Sequence, residues 1–222
     1  MKQRGIHAHT RAKMLKIFES LYPDPKSELH FTNDYELIVS VILSAQCTDK
    51  KVNQVTPELF KQYASFTALG SARISDIEKI IRPINYYKSK AKSLILMAKA
   101  VTTEHGAALP QTRPQLEALA GVGRKTASVI LSEKGIEPAL AVDTHVFRVS
   151  QRLGLAHSNN RETVELQLRE QFDPSLWRNL HHWLILHGRR ICKAQNPACQ
   201  SCALSTLCPS VEVTQAPQTD LH

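Results

Sequence analysis

Apolar residues recur along this chain at intervals of three and four, the repeat that places them on one face of an α-helix. Met14, Leu15, Phe18 and Leu21 form the first such stripe, and Pro23-Asp24-Pro25 ends it. Asn33 is placed to cap the next helix, with Glu36 three residues on completing a capping box. Its body, Tyr35 to Ala45, is apolar nearly all round, which predicts a helix at the centre of a core. It is too short to cross a bilayer. Ser89 opens a helix through Leu94, Ile95, Met97 and Val101 that stops at Gly106. Thr112 caps a short helix bearing Leu116 and Leu119, and another spans about Arg124 to Lys134, closed by Gly135. Asp143 starts a helix with Val146, Phe147 and Val149 that ends before Gly154; Asn160 and Asp173-Pro174 open two more. No internal repeat occurs, long alternating runs are missing, and glycines number only eight. The chain is predicted to be all-α.

Charge narrows the partners. Lysine and arginine number 28 against 20 acidic residues, a net charge of +8. That balance favours an anionic partner, nucleic acid before membrane, because no basic amphipathic anchor or transmembrane run accompanies it. A basic protein without such a partner would have the same composition. Met1-Lys2-Gln3-Arg4 has no apolar stretch behind it, so it is no secretory signal. A cytoplasmic, reducing location follows as the expectation, and it weighs against disulfides.

That bears on the cysteines. Cys192, Cys199, Cys202 and Cys208 are spaced C-x6-C-x2-C-x5-C, while Cys47 lies far upstream and reads as a small buried side chain. Four thiolates in one short loop are a metal signal. Tetrahedral zinc accepts four thiolates, but its usual frameworks pair two C-x2-C knuckles. One such knuckle with longer loops suits a bulkier [4Fe-4S] cluster better.

The chemistry concentrates between Leu116 and Arg148. Leu119-Ala120-Gly121-Val122-Gly123 is a glycine-bearing turn between two short helices, and its N–H groups beside a helix N-terminus can hold a phosphate. An ordinary helix connection would read the same from those five residues. Arg124 and Lys125 then place cations on the first turn, where the helix dipole disfavours positive charge. Lys125 is either a solvated lysine or an amine with reason to lose its proton and act as a nucleophile. Asp143 is a good N-cap, and capping would also hold its carboxylate rigidly for a reaction.

Four segments in this order carry a resemblance: Leu43-Ser44-Ala45-Gln46-Cys47-Thr48-Asp49, then LAGVGRKTA, then AVDTHVFRV, then HHWLILHGRRIC with the four-cysteine tail. Together they resemble the endonuclease III family of DNA glycosylase/AP lyases over nearly the whole chain. The resemblance implies two helical lobes with a helix-hairpin-helix motif: a six-helix barrel at 27–137, and a second lobe of 1–26 with 138–208 that carries the cluster, followed by a flexible tail at 209–222. DNA would lie across the groove between the lobes. The implied substrate is duplex DNA containing oxidised pyrimidines or abasic sites, handled by a monomer, with the damaged nucleotide flipped out of the stack.

By the same resemblance, Lys125 attacks the sugar C1′ and forms a Schiff base, and Asp143 stabilises positive charge at the sugar. Gly121, Val122 and Gly123 hold phosphate, as does Lys193, and Gln46 fills the gap left by the flipped nucleotide. Two segments depart from the family pattern. Ala120 stands for a usual proline. Asn85-Tyr86-Tyr87-Lys88 stands where Gly-Leu-Tyr-Asn is common, so Tyr86 either replaces a leucine wedge and can stack on bases, or is with Tyr87 a packing residue. Two rival functions remain from the residues: a monofunctional glycosylase with Lys125 as a phosphate contact, and a non-catalytic, cluster-bearing DNA-binding protein.

Overall fold

A computed structural model describes residues 6–211, all of whose regular structure is helical. They form two compact units, one of Ser27–Glu137 and the other of residues 6–26 with 138–211. Of the tail expected from residue 209 onward, residues 212–222 lie outside the described residues. Among the described residues no helix is long and apolar enough to cross a membrane.

The first unit is built around α2 (Asp34–Ser44). Its residues from Tyr35 to Leu43 are buried apart from Glu36, as an all-round apolar sequence requires. Around it pack α3 (Asp49–Gln62), α6 (Tyr87–Glu104) and α8 (Arg124–Glu133), while α4 (Phe66–Gly70), α5 (Ile74–Ile80) and α7 (Arg113–Glu117) complete the unit. Truncating fully buried Ile38 to alanine would remove about 2–5 kcal/mol, a large share of ordinary domain stability.

The capping box differs from its expected form. Asn33 accepts the Glu36 N–H at 2.9 Å, but Glu36 reaches one residue further back, to the N–H (2.7 Å) and hydroxyl (2.8 Å) of Thr32. Thr112 stands at the N-cap of α7 without capping it, because its hydroxyl donates to Gln115. Leu119 lies beyond that helix. Helix α6 starts two residues before Ser89. Helices α3, α4 and α5 were not foreseen: Pro57 interrupts the stripe of Val52, Val55 and Leu59, and the other two are too short for a periodic pattern. Burial of those three side chains keeps α3 continuous through its proline.

The second unit comprises α1 (Ala8–Leu21), α9 (Thr144–Arg152), α10 (Arg161–Gln171) and α11 (Trp177–Arg190), with short 3-10 turns at Pro174–Leu176, Cys199–Ser201 and Ser205–Leu207. Aromatic contacts hold its N-terminal helix in place. Phe18 stacks on Trp183 with centroids 6.0 Å apart, and the Trp183 indole N–H donates to the Tyr22 carbonyl at 3.0 Å. Helices α9 and α11 cross at Gly188, where a Cβ would meet Val149 at 3.0 Å and His145 at 3.1 Å. A side chain there would force the helices apart.

Candidate functional site

The glycine turn between α7 and α8 separates two kinds of glycine. Gly121 has φ +82°, and a Cβ on it would sit 2.9 Å from the Ser93 Cβ, so the fold itself demands glycine there. Gly123 has φ −90°, and a Cβ would meet nothing within 4 Å. The protein's own packing does not ask for glycine at that position. Val122 serves the fold: its side chain is buried, and its N–H donates to the Leu119 carbonyl at 3.1 Å. That N–H, expected to face a phosphate, is instead used to close the turn.

Gly123 is the N-cap of α8 and offers no side-chain acceptor to the first turn. The turn also has no acidic residue, and Arg124 and Lys125 are both exposed on it. An open helix start attracts anions through its N–H groups and dipole.

Helix α9 begins in the opposite manner. Asp143 accepts the backbone N–H groups of His145 at 2.8 Å and Val146 at 2.7 Å, and its second oxygen lies 3.2 Å from the His145 ring Nδ1. Burial alone would push this carboxyl up. The hydrogen bonds from His145 and Val146, together with the nearby His181 and His145 rings, outweigh burial and hold it well below the usual carboxylate range. The result is a fixed, partly exposed carboxylate that stays ionised under all ordinary conditions.

Gln46 and Tyr86 both have left-handed backbones, at φ 52° and 59°, and both are exposed. For such residues that conformation costs about 1–3 kcal/mol each and persists only where neighbours enforce it. Lys90 is one enforcer. Its buried ammonium donates to the carbonyls of Leu43 at 2.8 Å and Ala45 at 2.6 Å, closing the C-terminal end of α2. Burial pushes its pKa down. Cys47 is half-buried against the same core, as a small packing side chain.

The cysteine loop is held by groups that the spacing did not reveal. Leu204 is fully buried, and Cys192, Cys202 and Cys208 pack on the core beneath it. Arg152 donates to the carbonyls of Lys193 (2.6 Å) and Ala194 (3.0 Å) and approaches the Cys192 sulfur at 3.5 Å. Arg148 binds the carbonyls of Cys192 and Gly188. Buried His187 stands 3.5 Å from the Cys202 sulfur. A basic pair at i, i+4 on α9 was the available signal for Arg148 and Arg152. Lys193 itself, directly after Cys192, is exposed.

The four thiols are free of disulfides. Burial pushes Cys202 and Cys208 up, and the neighbouring cysteine sulfurs push them further, so the loop brings all four into mutual electrostatic range. Among the described residues, however, no group of three or more His, Cys, Asp or Glu side chains could hold a single metal ion. Four thiols gathered in one loop supply the donor set of a thiolate-bound metal centre, whose positive charge would reverse the raised pKa values of Cys202 and Cys208.

Residues 39–174 match the family described as HhH-GPD superfamily base excision DNA repair protein. The endonuclease III of Rickettsia felis is 42% identical over 196 residues, covering 88% of this chain and 92% of the relative. That of Escherichia coli is 40% identical over 201 residues, covering 89% and 95%. Among solved structures, a trapped endonuclease III–DNA covalent intermediate is 36% identical with a TM-score of 0.88, covering 95% of this chain and all of that one. A non-covalent endonuclease III–DNA complex is 37% identical with a TM-score of 0.87, covering 94% and 98%. The chain belongs to the endonuclease III family of DNA glycosylase/AP lyases, within the HhH-GPD superfamily of base excision DNA repair proteins.

Proposed function

We propose that this chain removes oxidised pyrimidines from duplex DNA and then nicks the strand, with Lys125 as its nucleophile. It acts as a monomer on cytoplasmic DNA. The observation that carries the reading is Lys125, an exposed residue in the first turn of a helix without a side-chain cap, in a chain similar over 95% of its length to a protein trapped covalently on DNA.

The neutral Lys125 amine attacks C1′, and the bond from C1′ to the base breaks as the base takes up a proton. Ring opening gives a C1′ imine on Nζ, with the ring oxygen protonated. The imine acidifies C2′; loss of that proton expels the 3′ phosphate, and water then frees the lysine. Asp143, ionised and fixed by its two N–H donors, stabilises the positive charge that develops on the sugar. A water activated by a carboxylate would remove a base without nicking, so the amine links the two activities.

Gly121 and Gly123 present the hairpin and the start of α8 to a phosphate, and the open space around Gly123 supports close approach by another molecule. Gln46 fills the place of the flipped nucleotide, Tyr86 enters from the opposite strand, and Lys193 meets phosphate. Cys192, Cys199, Cys202 and Cys208 hold a [4Fe-4S] cluster. When bound, it supplies iron–sulfur bonds that offset the repulsion among four thiolates and cross-link the loop. Brown protein with broad visible absorbance supports that assignment; colourless protein with stoichiometric zinc refutes it.

The test is borohydride trapping on duplexes carrying thymine glycol or an abasic site. Wild type gives a covalent protein–DNA adduct, and Lys125→Ala gives none. Base removal without any wild-type adduct would make the protein a monofunctional glycosylase instead.

A further inference from the structure

The two left-handed turns at Gln46 and Tyr86 are tied to each other. The Asn85 side-chain amide, one residue before Tyr86, donates to the Gln46 carbonyl at 2.7 Å. The opening of α6 adds to the tie. The Lys90 N–H and the Ser89 hydroxyl both take the Tyr86 carbonyl, at 3.1 and 3.0 Å, while the Lys90 ammonium grips the last carbonyls of α2 just before Gln46. Two exposed side chains therefore leave strained backbone positions that a single hydrogen-bonded frame holds.

Within that frame the two holding groups do different work. Lys90 is buried, and removing it would leave buried carbonyls unpaired. Asn85 is exposed, so without its amide the Gln46 carbonyl turns to water and the core is untouched. What is lost is the fixed spacing between the two turns. Asn85 also stands where the family pattern commonly has glycine, which cannot make this bond.

We propose that Asn85 is a positioning residue that makes Gln46 and Tyr86 a single two-pronged probe of the duplex, and so sets discrimination among bases opposite the lesion. This rests on the reading that both side chains meet DNA. A glutamine in the vacated place and a tyrosine from the other strand must keep a fixed separation to sense one opposing base. If each turn moved alone, the tyrosine could settle against several bases with little difference in energy.

The experiment uses the full-length protein, Asn85→Ala and Asn85→Asp. The aspartate has nearly the shape of asparagine but cannot donate to the Gln46 carbonyl. Turnover is measured on duplexes with one lesion opposite each of the four bases, and nicking on a single-stranded abasic oligonucleotide. Both variants are expected to compress the ratio of best to worst kcat/KM by about fivefold, through KM, the scale of one modest hydrogen bond. Single-stranded nicking and the melting temperature stay at wild-type values, which a merely structural role would not allow. An unchanged ratio in both variants, with active wild type, overturns this inference alone. Equal losses on single-stranded and duplex DNA also overturn it. Wild type that neither turns over nor forms a borohydride adduct overturns the underlying reading, and this inference with it.

Discussion

Helices α8 and α9 begin in opposite ways. Helix α9 has its first N–H groups satisfied by the Asp143 carboxylate, an arrangement that stabilises the helix by about 1 kcal/mol. Helix α8 starts at a glycine with no side-chain cap, carries no acid in its first turn, and places Arg124 and Lys125 where the dipole opposes them. One start is closed by an acidic side chain, and the other has no side-chain cap. The difference shows where stability has been given up, and that is where a phosphate and a reactive amine are expected.

The largest effect should come from the open start. Lys125→Ala is expected to abolish the borohydride adduct and to lower nicking by about three orders of magnitude or more, while leaving stability unchanged or slightly raised. Retained nicking would mean that the charge on α8 serves only to bind DNA.

Asp143→Asn tests the closed start next. Asparagine caps about as well as aspartate, so melting temperature should hold within a few degrees. Activity should fall by about 10²-fold or more, because the charge is gone while the cap remains. If activity survives in Asn and falls only in Asp143→Ala, then capping is all that Asp143 does.

The two glycines before α8 sharpen the contrast. Gly123→Ser supplies the missing cap and should add about a few tenths of a kcal/mol to stability. Affinity for abasic duplex should nonetheless fall about tenfold if phosphate binds there as proposed, because the serine occupies the open space and an N–H group of the first turn. Gly121→Ala should do the reverse at the level of folding. It costs about 1–3 kcal/mol through its positive φ and its clash with Ser93. Titration by fluorescence anisotropy with thermal melts separates them.

Sequence periodicity captured the long, strongly striped helices and missed those whose pattern is broken. The apolar run from Leu37 to Leu43 leaves no polar face, so a central helix was the reading it allowed. Pro57 concealed α3, because a proline's local effect is visible in sequence and the burial that overrides it is not. At the site, residue types with fixed spacing were legible: the cysteines, the glycine turn and the Asp143 cap. Hydrogen bonds between distant segments were not. Nothing in the neighbourhood of Asn85 indicates that its amide reaches Gln46, thirty-nine positions away. Arg152 likewise holds the carbonyl of Lys193, forty-one residues on. Such partners are chosen by the fold, after the local pattern has done its work.

The smallest predicted effect is a pH dependence that belongs to one helix start alone. Asp143 is held below its unfolded pKa of about 3.9, so the unfolded chain binds its proton first as the solution is acidified. Its stabilising contribution is complete above the unfolded pKa and is lost as pH falls through the folded one. The stability gap between wild type and Asp143→Asn, which has no such proton to gain, should be flat above about pH 5 and shift by about 1 kcal/mol or more in favour of the variant on further acidification. Helix α8 has no carboxylate at its cap or in its first turn, so the corresponding gap for Gly123→Ser, which adds no titratable group, should show no comparable trend over that range. Urea unfolding between about pH 3 and 7 measures both gaps. Parallel trends in the two variants would mean that acid sensitivity arises elsewhere in the fold, and that Asp143's cap is not what distinguishes the two helix starts.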